Sequence, residues 1–169
     1  MSDFIIRDNR IVPSEWEILD NGAAAGTTKS ILSLTDFLDK VGADSTASAL
    51  PGVWLAPHDD PTALAPFVAR LPIIAVQFPK FADGRGYSSA YLLRQRLAYR
   101  GELLAFGDLG RDQLFMLRRV GFSSFALRDG ADLAEAIDAF DDFSERYQGS
   151  VDQPLPLFQR RQLGAVAHV

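Results

Sequence analysis

The residue types best suited to chemistry crowd one short segment of the chain. Lys80, Asp83, Arg85, Tyr87 and Ser88 all fall within Phe78-Pro79-Lys80-Phe81-Ala82-Asp83-Gly84-Arg85-Gly86-Tyr87-Ser88. An apolar run from Leu71 to Val76 precedes this segment and a helical pattern begins near Ser88, so it reads as a strand-to-helix loop. Such loops carry the ligand sites of α/β folds because they lie at the carboxyl ends of the strands. Three further loops have the same position in the pattern. They are Pro57-His58-Asp59-Asp60, the stretch from Gly107 to Gln113 that holds Asp108, Arg111 and Asp112, and Arg128-Asp129-Gly130. In a parallel sheet all four open on one face, where Lys80, Arg85 and Arg111 meet Asp59, Asp83, Asp108 and Asp112. Binding of a small anion is the simplest chemistry for that mixture. Gly84 and Gly86 let backbone approach the ligand, and the helix from Ser88 aims free N–H groups at it. Asp83 or Asp108 could alternatively serve as acid/base, with Lys80 as electrophile.

Each of these residues also has a structural reading. Asp60, Ser88, Asp108 and Asp132 are good helix N-caps, and Lys80 or Arg85 could form ion pairs with Asp83 or Asp108. Gly84-Arg85-Gly86 is no dinucleotide fingerprint, since Ser89 occupies the place of the next glycine. His58, beside Asp59-Asp60, could act as a general base, although a lone exposed loop histidine is more often inert.

The elements that position these loops alternate. Phe4-Ile5-Ile6 and Ile11-Val12 flank an Asp-Asn turn and predict a β-hairpin, with Trp16 to Leu19 as its candidate partner. Gly22 to Thr28 reads as a loop, and Ser33-Leu34-Thr35-Asp36 opens a short amphipathic helix with Leu34, Phe37, Leu38 and Val41 on one face. From Gly52 four βα units follow. Their strands are Val53–Ala56, Ile73–Val76, Glu102–Phe106 and Phe122–Leu127. The helices start after Asp60-Pro61, then run over Ser88–Tyr99, Arg111–Val120 and Asp132–Tyr147. Such tandem units imply a parallel sheet.

Two arrangements fit this order, an open sheet, which we favour, and a half-barrel resembling part of a (β/α)₈ barrel. A half-barrel would need a second copy or the amino-terminal segment as a cover. The domain reading is a single α/β unit over 1–161. Within it, 1–50 is a hairpin and helix cover, 51–150 the βα units and 151–161 an extended strap, and 162–169 is a disordered tail. Phe115, Phe122, Phe125, Phe140, Phe143 and Trp54 read as core. Arg94, Arg96, Arg100, Arg118 and Arg119 read as solvated helix faces or partner contacts.

Composition narrows the classes. A net charge of -5 argues against nucleic acid and anionic membranes as partners. The absence of cysteine removes thiolate chemistry, zinc–thiolate sites and iron–sulfur ligation, and two histidines give no basis for a metal site. No cofactor motif stands out. There is no apolar run of the ~20 residues that span a bilayer and no secretory leader pattern, so the expected location is the cytoplasm.

The long loop motif, together with Gly101-Glu102-Leu103, Gly107-Asp108, Arg111-Asp112-Gln113-Leu114, Arg118-Arg119-Val120-Gly121-Phe122 and Pro156-Leu157-Phe158-Gln159-Arg160-Arg161, resembles an uncharacterised bacterial family over roughly residues 50–161. Members of that family carry a domain-of-unknown-function label and are often described as oxidoreductases of sulfite reduction. The resemblance implies a role in assimilatory sulfite or sulfate reduction, with sulfite reductase or another sulfur-assimilation protein as partner. It brings no established catalytic residues. Val120 stands where the family's pattern leads one to expect cysteine, so thiol chemistry proposed for relatives cannot operate here. Leu109-Gly110 replaces bulkier residues. The reading that combines both lines is an accessory protein of sulfite or sulfate reduction, binding an anion or the reductase through Lys80, Asp83, Arg85, Tyr87, Ser88, Asp108, Arg111 and Asp112. The alternative is a (β/α)-type enzyme acting on a small anionic substrate. A homodimer is compatible with either.

Overall fold

A computed structural model describes residues 3–19, 29–43, 49–142 and 147–166. The amino-terminal hairpin is present as β1 (Phe4–Arg7) and β2 (Arg10–Pro13), paired Phe4 to Pro13 and Arg7 to Arg10. Asp8 and Asn9 both take positive φ, 52° and 58°, the backbone that a two-residue hairpin turn matched to strand twist requires. The following strands are β3 (Glu17–Ile18), β4 (Ser30–Ser33), β5 (Gly52–Leu55), β6 (Ile73–Phe78), β7 (Glu102–Gly107) and β8 (Ser124–Ala126). The helices are α1 (Leu34–Ala43), α2 (Arg85–Gln95), α3 (Leu114–Arg119), α4 (Leu133–Asp138) and α5 (Leu157–Val166), with 3₁₀ turns at Pro61–Leu64, Arg111–Gln113 and Ala139–Asp141.

One eight-stranded sheet runs in the order β2-β1-β8-β7-β6-β5-β4-β3. Strands β3 to β8 are parallel and follow one another in chain order without a reversal. Crossovers of one hand between successive neighbours put the crossover helices on the same face. The packing agrees. One core joins Val53, Val76, Phe78 and Ala105 of the strands to Phe37, Leu93, Leu117 and Ala136 of the helices. The other face buries strand residues, Ile5, Ile31, Ile73, Ala75, Leu104 and Ala126, against Trp16, Trp54 and Phe106. A sheet that covers one face with helices and buries the other against itself must curl. Its two edges are close neighbours in the chain, because Ser14, Glu15 and Trp16 alone separate β2 from β3, a span of at most about 14 Å. The sheet is thus open but rolled into a half-barrel, without the strand reversal of a doubly wound fold.

Several local readings need correction. The segment after Trp16 does not extend the hairpin; Glu17 and Ile18 pair parallel with β4 at the opposite edge. Ser30–Ser33 forms a strand that the sequence pattern did not reveal, adding a β4–α1 unit before Gly52. The expected cap of α1 is in place, with Ser33 Oγ accepting the Asp36 N–H at 3.1 Å and donating to Asp36 Oδ2 at 2.7 Å. Asp60 likewise caps its turn by accepting the Thr62 N–H at 2.9 Å. Helix α2 begins at Arg85 rather than Ser88, because Gly84 takes the N-cap position. The extended strap expected after Val151 instead becomes helix α5 from Leu157. Its leading segment is tied to α3 through the Arg119 carbonyl, which accepts from Ser150 Oγ at 2.7 Å. Phe115, Phe122, Phe125 and Phe140 are core as expected, while Gly22 to Thr28, Phe143 and the 162–169 tail beyond 166 lie outside the described residues. Trp54 is half-buried and donates Nε1–H to the Leu19 carbonyl at 3.0 Å.

Candidate functional site

Because β5 to β8 are parallel and adjacent, their carboxyl-end loops share one rim of the half-barrel. The β6–α2 loop is its centre. Asp83 receives the Arg85 fork at two points, from Nε at 2.9 Å and from Nη2 at 2.6 Å, and also accepts the Arg85 N–H at 3.2 Å. This pairing holds the Asp83 carboxyl below its ordinary 3.8 and raises the Arg85 guanidinium. A carboxylate kept ionised in this way anchors the loop and makes a poor proton donor near neutrality. Its stabilising contribution is present above the unfolded pKa and is lost as pH falls through the lower folded value. A carboxyl-detected NMR titration is expected to place the Asp83 midpoint below 3.8, and Arg85→Ala to return it there. A midpoint unmoved by the substitution would show that the pair does not form.

The other rim residues are distributed as follows. Lys80 is exposed and makes no ion pair among the described residues. Asp108 accepts the Phe81 N–H on Oδ2 at 3.2 Å and lies 3.7 Å from Arg128 through Oδ1, so it joins three strand-end loops. Arg111 turns away from this group, reaching Asp142 at 2.9 Å and the Glu135 carbonyl at 3.3 Å. Asp112 and Ser88 are exposed, the latter on the first turn of α2. Tyr87 is half-buried with its ring edge-on to Phe78 at 5.6 Å, and burial raises its phenol against the opposing effect of a hydrogen bond with Gln113. His58 is 79% exposed and 3.8 Å from Asp59, whose carboxylate closes a local turn by accepting the Ala56 N–H at 2.7 Å.

The two glycines in the motif differ in their surroundings. A Cβ on Gly86 would lie 2.5 Å from the Phe78 ring, so this glycine seats the first turn of α2 on β6. A Cβ on Gly84 would meet open space, and that position is free to face a partner.

Gln113, Phe81 and Arg128 were not singled out from the sequence. Gln113 is buried; its Oε1 accepts the Gly110 N–H at 3.0 Å and its Nε2 donates to the Phe81 carbonyl at 3.2 Å. A glutamine three residues after a helix-entry glycine was the available signal. Beside this network, Gly110, Arg111, Leu127, Arg128, Ala131 and Glu135 line part of a cleft of about 220 Å³. Among the described residues no three acidic, histidine or cysteine side chains cluster as a metal site, and no helix is long and apolar enough to cross a membrane.

Comparison with curated proteins and with solved structures finds no match. The model of the bacterial protein family of unknown function DUF934 matches residues 52–158, the stretch that runs from β5 through the whole rim to the start of α5, and the chain belongs to that family.

Proposed function

We propose that this chain is a cytoplasmic accessory protein of assimilatory sulfite or sulfate reduction and that it engages the reductase through its strand-end rim. The pathway follows from the resemblance in the motif residues. The docking role rests on one observation, that the rim charges pair with one another on an open surface instead of converging on an enclosed reaction centre. Asp83 is matched by Arg85 and Asp108 by Arg128, while Arg111 turns out of the group to Asp142. Exposed pairs of this kind add little stability but set orientation and association rate at an interface.

The cleft beside Gly110 supports a second reading, a small-anion site. Arg111 and Arg128 line it, although Asp129, Asp132 and Glu135 line it too. Isothermal titration with sulfite would report on that reading, with Arg128→Ala expected to abolish any heat of binding.

The primary test is complementation. A deletion strain is expected to fail on sulfite as sole sulfur source, to be rescued by the wild type, and not to be rescued by a folded Arg85→Ala/Asp108→Ala variant. Normal growth of the deletion strain on both sulfite and sulfate would overturn the sulfur assignment.

A further inference from the structure

We infer that Phe81, with Lys80 beside it, is the anchor of this rim, and that it seats in an apolar pocket edged by carboxylates on the partner protein. This rests on the docking reading above and specifies its chemistry. Pro79, Lys80, Phe81 and Ala82 form an unbroken exposed run at the tip of the β6–α2 loop, and the Phe81 residue is 50% exposed.

An exposed aromatic side chain alone is unremarkable. What sets Phe81 apart is the fixing of its backbone from both sides. Its N–H is held by the Asp108 carboxylate and its carbonyl by the Gln113 amide, each at 3.2 Å. Gln113 is itself only 7% exposed and pinned by the Gly110 N–H, and the loop is closed by the Asp83 N–H donating to the Lys80 carbonyl at 2.9 Å. The ring borders Gly110, where a Cβ would come 4.0 Å from its edge. Side chains from the next strand-end loop therefore hold the Phe81 backbone in place while its ring stays half in water. Most of the ordering entropy of an interface residue is met before any encounter, and aromatic anchors of this sort dominate binding energy.

Charge identifies the surroundings of the pocket. The Arg85 fork takes both oxygens of Asp83, so the exposed Lys80 ammonium acts on that carboxylate only through its charge and makes no ion pair among the described residues. A carboxylate on the partner, at the edge of the cavity that takes the ring, would match it. The chain carries a net charge of -5, so this attraction is local and a broadly acidic surface would be repelled elsewhere.

The experiment uses the full chain and the purified sulfite reductase of the same bacterium, with binding measured by calorimetry at fixed salt. Phe81→Ala is expected to weaken binding about thirty-fold and Lys80→Glu about tenfold, with thermal midpoints unchanged. Phe158→Ala, which removes an equally exposed ring from α5, is expected to change nothing. Wild-type binding that Phe81→Ala leaves intact would overturn the anchor while the docking reading stands. If the wild type does not bind, the docking reading fails and the anchor with it. A wild-type dimer in sedimentation that Phe81→Ala dissociates, without any change in reductase affinity, would make a second copy the occupant and likewise overturn the inference.

Discussion

Replacing Gly107 by alanine is expected to lower the thermal midpoint by about 10 °C, while the same change at Gly84 leaves it where it was. Gly107 ends β7 with φ at +119°, a backbone region that L side chains rarely adopt. The position is also crowded, since an added Cβ would lie 2.2 Å from the Phe78 carbonyl oxygen. That oxygen is not free to move, because it accepts the Asp108 N–H at 2.8 Å and its strand pairs with β7 in register, Phe78 opposite Gly107. Backbone strain costs about 1–3 kcal/mol, and displacing the sheet from the intruding methyl adds a similar amount. A total near 4 kcal/mol, at about 2–4 °C per kcal/mol for a domain of this size, gives the expected shift. Gly84 has φ of -84° and open space around it, so alanine there should stay within about 0.5 kcal/mol. Gly107 directly precedes Asp108, so the damage extends to the clamp on Phe81. Differential scanning calorimetry of both variants decides the matter; equal midpoints would mean that β7 relaxes around the methyl.

The contrast between these two glycines shows what the sequence could reveal. Both stand in glycine-containing turns, yet only the pairing of β6 with β7 tells which one is crowded. The alternation of strands and helices from Gly52 onward was legible because each element carries its own period and punctuation. The curl of the sheet was not, since an open doubly wound sheet and a half-barrel share the same βα order and differ in how the crossovers accumulate. Strand β4 escaped notice because Ile31-Leu32 is too short a run to show a period. In the rim, the Asp83–Arg85 pair spans two residues and could be anticipated as an ion pair. The bonds from Arg111 to Asp142 and from Asp108 to the Phe81 loop span 31 and 27 residues and depend on the completed sheet. The helix arginines misled for a related reason. Read as solvated charge, Arg94 and Arg118 instead cap carbonyls of distant turns, Arg118 donating to Phe140 at 3.0 Å with its guanidinium 4.8 Å from that ring centroid. Arg96 and Arg100 are exposed, as expected.

Arg94 carries the other large effect: Arg94→Ala is expected to cost about 3 kcal/mol in urea unfolding, and Arg94→Lys about 2 kcal/mol. Its Nε donates to the Gly121 carbonyl at 2.9 Å, and its Nη1 to those of Tyr99 at 2.8 Å and Gly101 at 2.9 Å. One planar fork thus ties the turn before β7 to the turn before β8, at the end of the sheet opposite the rim. The guanidinium also lies 5.3 Å from the centroid of the Tyr99 ring, which is buried, and burial lowers its pKa while no carboxylate pairs with it among the described residues. Alanine leaves three carbonyls short of a donor and removes the packing on Tyr99. Lysine restores the charge but not the fork, so it can serve these carbonyls only one at a time. Exposed Arg96→Ala provides the control and should fall within about 0.5 kcal/mol. Because Arg94 lies far from Phe81 along the strands, the folded fraction of Arg94→Ala should still bind the partner with wild-type affinity. That separates loss of stability from loss of docking, which Phe81→Ala should show in the opposite combination. A lysine variant as stable as the wild type would mean that charge rather than fork geometry holds the two turns together.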